Sequence, residues 1–116
     1  MVKMYVGRRD KLGKAMVRII GHDGDTHELP PRFDIVKHSP TGFEWGFGGS
    51  GPAQLSLAIL ADALGNDPVA LRLHQEFKWA VIAKLPKDHW RLTHMEVMRA
   101  AGQCALRHAN RGAHQW

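Results

Sequence analysis

The first 29 residues alternate short apolar runs with polar turns, a pattern typical of a small sheet. The strands are predicted at residues 4–6, 15–20 and 26–29. Between the last two, Asp23-Gly24 indicates a hairpin, because both residue types tolerate the positive φ angles of a two-residue turn. Pro30 and Pro31 end the third strand, since proline donates no hydrogen bond to a β-ladder.

The next segment combines a turn with an aromatic alternation. Phe33, Ile35 and Val36 predict a short strand or turn that covers one face of the sheet. Residues 43–47 place an aromatic side chain at every second position, which predicts a further strand with one aromatic face.

After residue 47 the apolar pattern changes from the period of a strand to that of a helix. Residues 48–52 are typical of a helix entrance, with Ser50 or Gly51 at the N-cap and Pro52 in the first turn. The helix at 52–64 is apolar nearly all round, which indicates a central and buried position. The side chains expected to be most buried are Leu55, Ile59 and Leu60.

Two more helices are predicted after the central one. Gly65-Asn66 ends the central helix through left-handed conformations, and Asp67 is expected to cap the second helix, which ends before Pro86. Thr93 and Glu96 form a capping box for the third helix. The apolar stripes are Val69, Leu73, Phe77 and Val81 on the second helix, and Met95, Met98, Ala101 and Ala105 on the third.

These elements predict an α+β fold in which a small antiparallel sheet, formed within residues 2–47, packs on the central helix and two helices follow. A chain of 116 residues fits one domain, expected over residues 1–111, with 112–116 as a frayed tail. The longest apolar stretch, residues 57–61, is far shorter than the roughly 20 residues that span a bilayer, so no membrane partner is expected. The single cysteine, Cys104, cannot form an internal disulfide, which favours a cytoplasmic location.

The charge of the chain is unevenly distributed. Its 16 Lys and Arg against 11 Asp and Glu give a net charge of +5, and residues 1–20 carry six basic groups and one acid, whereas residues 21–65 carry two and six. This asymmetry indicates a contact surface for nucleic acid or a nucleoprotein, with a merely solvated mixed-charge surface as the alternative. The predicted contacts are Arg8, Arg9, Lys11, Lys14, Arg99, Arg107 and Arg111. Arg8 and Arg9 are expected to be exposed.

Residues 46–51 satisfy the pattern G-x-G-x-x-G. Free backbone N–H groups at a helix start bind phosphate, so a possible anion site is formed by Gly48, Gly49, Ser50 and Gly51. No phosphate-loop lysine and no further parallel strands follow, which argues against a dinucleotide site. The alternative is a tight turn that lets the buried helix approach the sheet closely.

The sequence contains only weak signals for a metal site or a nucleophile. His22, Asp23, Asp25 and His27 are metal-ligand types, but their spacing fits a hairpin turn, where aspartate is favoured for backbone reasons. Cys104 is expected to pack as a small apolar residue rather than act as a nucleophile. We therefore expect no metal, no cofactor and no catalytic residue.

One central block is distinctive. Residues 38–55 read HSPTGFEWGFGGSGPAQL, and they are accompanied by Tyr5-Val6-Gly7-Arg8, by residues 75–79, by Leu85-Pro86 and by residues 90–93. Together, over about residues 4–96, they resemble an uncharacterised family of small proteins from bacteria, phages and mobile elements. The resemblance implies an accessory protein that acts in the cytoplasm, and it implies no catalytic residue.

Two functional hypotheses follow. The favoured one is a non-catalytic protein that contacts nucleic acid or a host nucleoprotein complex, for example as an inhibitor of a host defence system. The alternative is a small enzyme or a nucleotide- or anion-binding module. It would use His38 or Glu44 as acid or base and the backbone N–H groups available in the loop of residues 48–52 to hold an anion.

Overall fold

The computed structural model describes residues 2–113, and side chains up to Arg111. The predicted α+β fold is confirmed. The strands are β1 (Met4–Arg9), β2 (Ala15–Ile20), β3 (Thr26–Glu28) and β4 (Trp90–Thr93), and the helices are α1 (Ser50–Leu64), α2 (Asp67–Ala80) and α3 (His94–Ala113), with a 3₁₀ turn at Ile82–Lys84.

The four strands form one antiparallel sheet in the order β3-β2-β1-β4. The hairpin predicted at Asp23-Gly24 is confirmed, and the Asp23 carboxylate accepts a hydrogen bond from the N–H of Asp25 at 3.1 Å. The hairpin between β1 and β2 uses Asp10 in the same way, since its Oδ1 accepts from the N–H groups of Leu12 and Lys14, both at 2.9 Å.

Residues 43–47 form no strand, so that prediction is wrong. The fourth strand of the sheet is β4. The backbone of the aromatic segment turns away from the sheet, with Gly46 at a φ of 86° and its N–H bonded to the Ile82 carbonyl at 3.0 Å. Trp45 is buried edge-to-face against Trp90, while Phe47 is exposed. The aromatic segment therefore contributes Trp45 to the core without forming a strand.

Helix α1 runs through the centre of the core. The predicted core residues Leu55, Ile59 and Leu60 are confirmed, each with 0% exposure. The helix begins at Ser50 rather than at residue 52, and its N-cap is Gly49, without a side-chain cap, instead of Ser50 or Gly51. Glycine takes that place because residues 48–51 pack against neighbouring side chains, as described below.

Tyr5 joins β1 to the far end of α1. Its hydroxyl donates to Asp62 Oδ2 at 2.6 Å, and Lys3 Nζ lies 2.8 Å from the same oxygen. Burial, helped by the neighbouring carboxylate, raises the pKa of Tyr5 well above its usual range. This contact fixes the sheet against the central helix.

Helix α2 is capped by Asn66, whose side chain accepts from the N–H of Val69 at 3.1 Å, so the predicted Asp67 cap is wrong. The carboxylate of Asp67 binds Arg32 instead, at 2.5 Å. The predicted stripe of α2 faces the core, with Leu73 and Phe77 buried and Val69 and Val81 half-buried.

The capping box of α3 is confirmed. Glu96 Oε1 accepts from the N–H of Thr93 at 2.9 Å, and Thr93 Oγ1 accepts from the N–H of Glu96 at 3.1 Å. The predicted stripe is correct only at Ala101, because the core side is formed by Val97, Ala101 and Cys104, while Met95 is 65% exposed and Met98 and Ala105 are exposed as well. The helix follows β4 directly, so the sheet edge fixes its rotation.

The predicted tail begins within α3, which continues to Ala113, and residues 114–116 lie outside the described residues. Among the helices of residues 2–113, none combines the length and the apolar character that crossing a membrane requires.

Candidate nucleic-acid interface

The sheet has one covered and one open face. Tyr5, Val17, Ile19 and Trp90 point into the core and are buried. Because side chains alternate along a strand, their neighbours point to the other side, where every side chain is half-buried or exposed. This outer sheet face consists of Met4, Val6 and Arg8 on β1, Met16, Arg18 and Ile20 on β2, Thr26 and Glu28 on β3, and Arg91 and Thr93 on β4.

The strand register places three arginines around one apolar side chain. Val6 is paired with Arg18 on one side and with Arg91 on the other, so the three residues form a row across the sheet. Neighbouring strands lie about 4.8 Å apart, which separates the α-carbons of the two arginines by roughly 10 Å. Arg8 lies two residues along β1, opposite Met16. Three positive charges therefore surround a small apolar centre.

Within the described residues, Arg8, Arg18 and Arg91 form no ion pair with a carboxylate, and the polar contact of Arg18 is a 3.4 Å hydrogen bond to Thr26 Oγ1. Glu96 lies near Arg91, since the pKa of Glu96 is lowered by hydrogen bonds to Thr93 and, to a lesser extent, by the charges of Arg99 and Arg91. The outer sheet face carries one acid, Glu28, which lies opposite Arg18 in the β2–β3 register without forming an ion pair with it. The face therefore keeps a net positive charge.

The hairpin at residues 10–14 extends from the end of the sheet where Arg8 lies. Lys11 and Lys14 are exposed there, and Leu12 at the tip is 94% exposed. Three of the four cations predicted near the N-terminus, namely Arg8, Lys11 and Lys14, are thus available at one end of the molecule.

Arg9 was expected to be exposed, and that expectation is wrong. It points to the covered face, where its guanidinium binds both carboxylate oxygens of Glu44, at 2.9 and 3.2 Å, and lies 4.5 Å from the centre of the Trp45 ring. Its Nε also donates to the carbonyl of Lys87 at 2.9 Å. The sequence did contain a signal for this difference. Adjacent residues of a strand face opposite sides of the sheet, so Arg8 and Arg9 could not both lie on the outer face.

The basic residues of α3 are not one free patch either. Arg107, His108 and Arg111 converge on Glu76 of α2, with Arg107 Nε at 3.9 Å and His108 Nδ1 at 3.5 Å from its carboxylate oxygens. Arg99 is exposed and, among the described residues, forms no ion pair. Two of the three arginines predicted as contacts on this helix therefore share one carboxylate, which offsets one of their positive charges.

A family model matches residues 5–103 of the chain. The chain belongs to DUF6166, a family of unknown function. The predicted membership of an uncharacterised family is thereby confirmed. The DUF6166 match includes Val6, Arg18, Arg91 and the rest of the outer sheet face except Met4, whereas Arg107 and Arg111 lie beyond it. No curated protein and no solved structure matches the chain.

The glycine-rich loop inside the DUF6166 match is shaped by close packing. A Cβ at Gly48 would overlap the Trp79 ring, and one at Gly51 would come within 2.7 Å of Glu44 Cβ. The tight-turn interpretation thus has a direct structural reason. An anion at Gly48, Gly49, Ser50 and Gly51 stays a prediction.

A buried polar network, which the sequence did not reveal, surrounds His38. Gln54 of α1 is fully buried, and its oxygen accepts from the N–H groups of His38 and Ser39, at 2.7 and 3.2 Å. Its nitrogen donates to the carbonyls of Pro31 and Val36, at 2.6 and 3.0 Å. One side chain thereby holds residues 31–39 against the central helix. The available signal was a glutamine within an otherwise apolar helix.

His38 is paired with His74 of α2, at 2.9 Å between the two Nε2 atoms. Nδ1 of His74 lies 2.6 Å from the Leu71 carbonyl, which can only accept, so Nδ1 carries the hydrogen and His38 donates through Nε2. Burial lowers the pKa of His74. The two acid–base candidates are thus in separate networks, since Glu44 binds Arg9.

Within residues 2–113, no group of three or more His, Cys, Asp or Glu side chains is placed to hold a metal ion. Cys104 is fully buried on α3, and burial raises the pKa of its thiol.

Proposed function

We propose that the protein is a non-catalytic nucleic-acid-binding protein whose contact surface is the outer sheet face. The observation that carries the proposal is the set of Arg8, Arg18 and Arg91, which surround Val6 on an open face without carboxylate partners in the described residues. Arginine suits this role, because its planar guanidinium binds phosphate oxygens in a bidentate way.

The neighbouring hairpin adds Lys11 and Lys14 to this surface. Of the other predicted contacts, Arg99 is a possible second contact on α3, while Arg9, Arg107 and Arg111 serve the fold through Glu44 and Glu76. The proposal thus rests on a different set of cations from the one that the sequence indicated, with Arg8 and the two lysines in common.

The biological setting belongs to the same proposal. The resemblance of the central block supports a protein of phage or mobile-element type that acts in the cytoplasm. Binding to nucleic acid would bring such a protein to a host complex that processes DNA or RNA, where it could act as an inhibitor of a defence system.

The test is a salt titration of binding, measured by fluorescence anisotropy with labelled DNA and RNA oligonucleotides. Three phosphate contacts to a single strand predict a slope of about −2 in log K against log salt, which is roughly a 20-fold loss of affinity between about 50 and 200 mM. The double variant Arg18→Ala/Arg91→Ala should reduce the magnitude of the slope by about 1.4, the share of two phosphate contacts.

Arg72→Ala is the matched control, because Arg72 is an exposed arginine on α2. It should leave both affinity and slope unchanged. If no oligonucleotide binds at the lower salt concentration, the proposal is wrong, and a protein partner becomes the better hypothesis.

A further inference from the structure

The outer sheet face is not simply a cationic surface. Four of its side chains are apolar, namely Met4, Val6, Met16 and Ile20, and they lie between and beside the three arginines. Met16 is 41% exposed and the other three are half-buried. A ligand that covers this face must therefore offer apolar surface as well as negative charge.

We propose that this ligand is a single strand of nucleic acid, with its phosphates on the arginines and its bases against the apolar centre. The inference rests on the proposed function and narrows it to one class of nucleic acid. Single strands present the flat faces of unstacked bases, which pack on apolar side chains and on guanidinium planes.

A duplex fits the same face poorly. The major groove is about 12 Å wide and admits a helix or a two-stranded ribbon. The sheet has four strands, which at about 4.8 Å per spacing are roughly 14 Å across before side chains are added. A duplex would therefore meet Val6 and Met16 with charged phosphates, and burying apolar groups against phosphates desolvates the phosphates without a partner.

A second copy of the chain fits poorly for another reason. A two-fold dimer through this face would place the patch against itself, so the arginines of one copy would come close to the arginines of the other. The one carboxylate on the face, Glu28, is at its β3 edge. Charge thus favours a polyanion over self-association.

Specificity should be low. The outer sheet face holds no aromatic side chain, so bases would stack on guanidinium groups and on the flexible thioether of Met16 rather than in shaped pockets. We expect binding that depends little on base sequence.

The test compares a labelled 20-mer of thymidine, a labelled 20-mer of uridine and a 20-base-pair mixed duplex at one salt concentration. A single strand should bind at least about tenfold more tightly than the duplex. The two single strands show whether the DNA or the RNA oligonucleotide is preferred, and preference for either one supports the inference.

The variant Met16→Gln removes apolar surface without changing charge. It should weaken single-strand binding by about fivefold while leaving the salt slope and the melting temperature unchanged. Leu71→Gln is the matched control, since Leu71 on α2 is also 41% exposed, and it should have no effect.

The results distinguish failure of the single-strand inference from failure of the proposed function. If the duplex binds as tightly as either single strand, or if Met16→Gln has no effect on single-strand affinity, the single-strand inference is overturned while the proposed function stands. If neither form binds, the proposed function itself fails. Dimers that dissociate in Met16→Gln, without any nucleic-acid binding, would also overturn both.

Discussion

At the scale of single residues, Arg8 and Arg9 show how adjacent arginines acquire different roles. Strand alternation sends Arg8 to the outer sheet face and Arg9 to the covered face, where its side chain is only 18% exposed and binds Glu44. Composition indicated a basic cluster but treated the two as equivalent. The partner of Arg9 was not predictable, because Glu44 lies 35 residues away in a segment that was taken for a strand.

Substitution of the two arginines should therefore have different effects on the free energy of unfolding. Arg9→Ala should lower the free energy of unfolding by about 1–3 kcal/mol, because it leaves a partly buried carboxylate and the Lys87 carbonyl without their donor. Arg8→Ala, its matched control, should change stability by less than about 0.5 kcal/mol. Urea denaturation of both variants measures this, and equal effects on stability would contradict the assignment of faces.

The His38–His74 pair predicts a pH dependence of stability. Burial lowers the pKa of His74 below its unfolded value of 6.5, so the folded state binds fewer protons than the unfolded state as the pH falls. The stabilisation is therefore complete above about pH 6.5 and is lost as the pH falls through the folded pKa. Protonating both rings would also place two positive charges at the 2.9 Å contact, with Lys78 nearby adding to the repulsion.

Denaturation curves between about pH 7.5 and 5 test this prediction. The wild-type protein should lose stability on acidification, and His74→Gln should be less stable at neutral pH but flatter below pH 6.5. His27→Gln, at an exposed histidine on β3, should keep the wild-type slope. A wild-type slope in His74→Gln would show that other groups cause the loss.

At the scale of elements, local signals predicted most of the fold and non-local pairing decided the rest. The hairpin at Asp23-Gly24, helix α1 and the α3 capping box are set by residues close in sequence. Strand β4 was missed because it is only four residues long and pairs with β1, some 85 positions earlier. Its alternation of Trp90 and Leu92 with Arg91 and Thr93 was present, but the longer aromatic alternation at 43–47 resembled a strand more closely.

The pairing of β4 with β1 depends on Gly7, whose missing side chain leaves room for the Trp90 ring. Gly7→Ala should therefore destabilise the protein by about 1–3 kcal/mol through overpacking. Gly102→Ala is the control with the opposite sign, because Gly102 is an exposed position within α3 with open space around it, and alanine there should stabilise by about 0.5–1 kcal/mol. Thermal melts of both variants should move in opposite directions.

At the scale of the whole molecule, the carboxylates are distributed so that the arginines of the outer sheet face form no ion pair in the described residues. Residues 21–65 carry six acids. In the fold, three of them, Asp34, Glu44 and Asp62, neutralise cations on the covered side of the sheet and among the loops and helices. These ion pairs involve Asp34 and Asp67 with Arg32, Glu44 with Arg9, and Asp62 with Lys3, while Glu76 of α2 holds the cations of α3. The arginines of the outer sheet face remain without such partners in the described residues, which net charge alone could not reveal.

The most direct test of this account is a chemical-shift titration of ¹⁵N-labelled protein with a single-stranded oligonucleotide. The account predicts that perturbations concentrate on β1, β2 and β4, around Val6, Arg18 and Arg91, and extend into the hairpin at residues 10–14. The backbone amides of α1 and α2 should remain unperturbed. Perturbations confined to residues 48–51, or to α3 around Arg99, would contradict it and would place the binding site at one of the other surfaces that the sequence indicated.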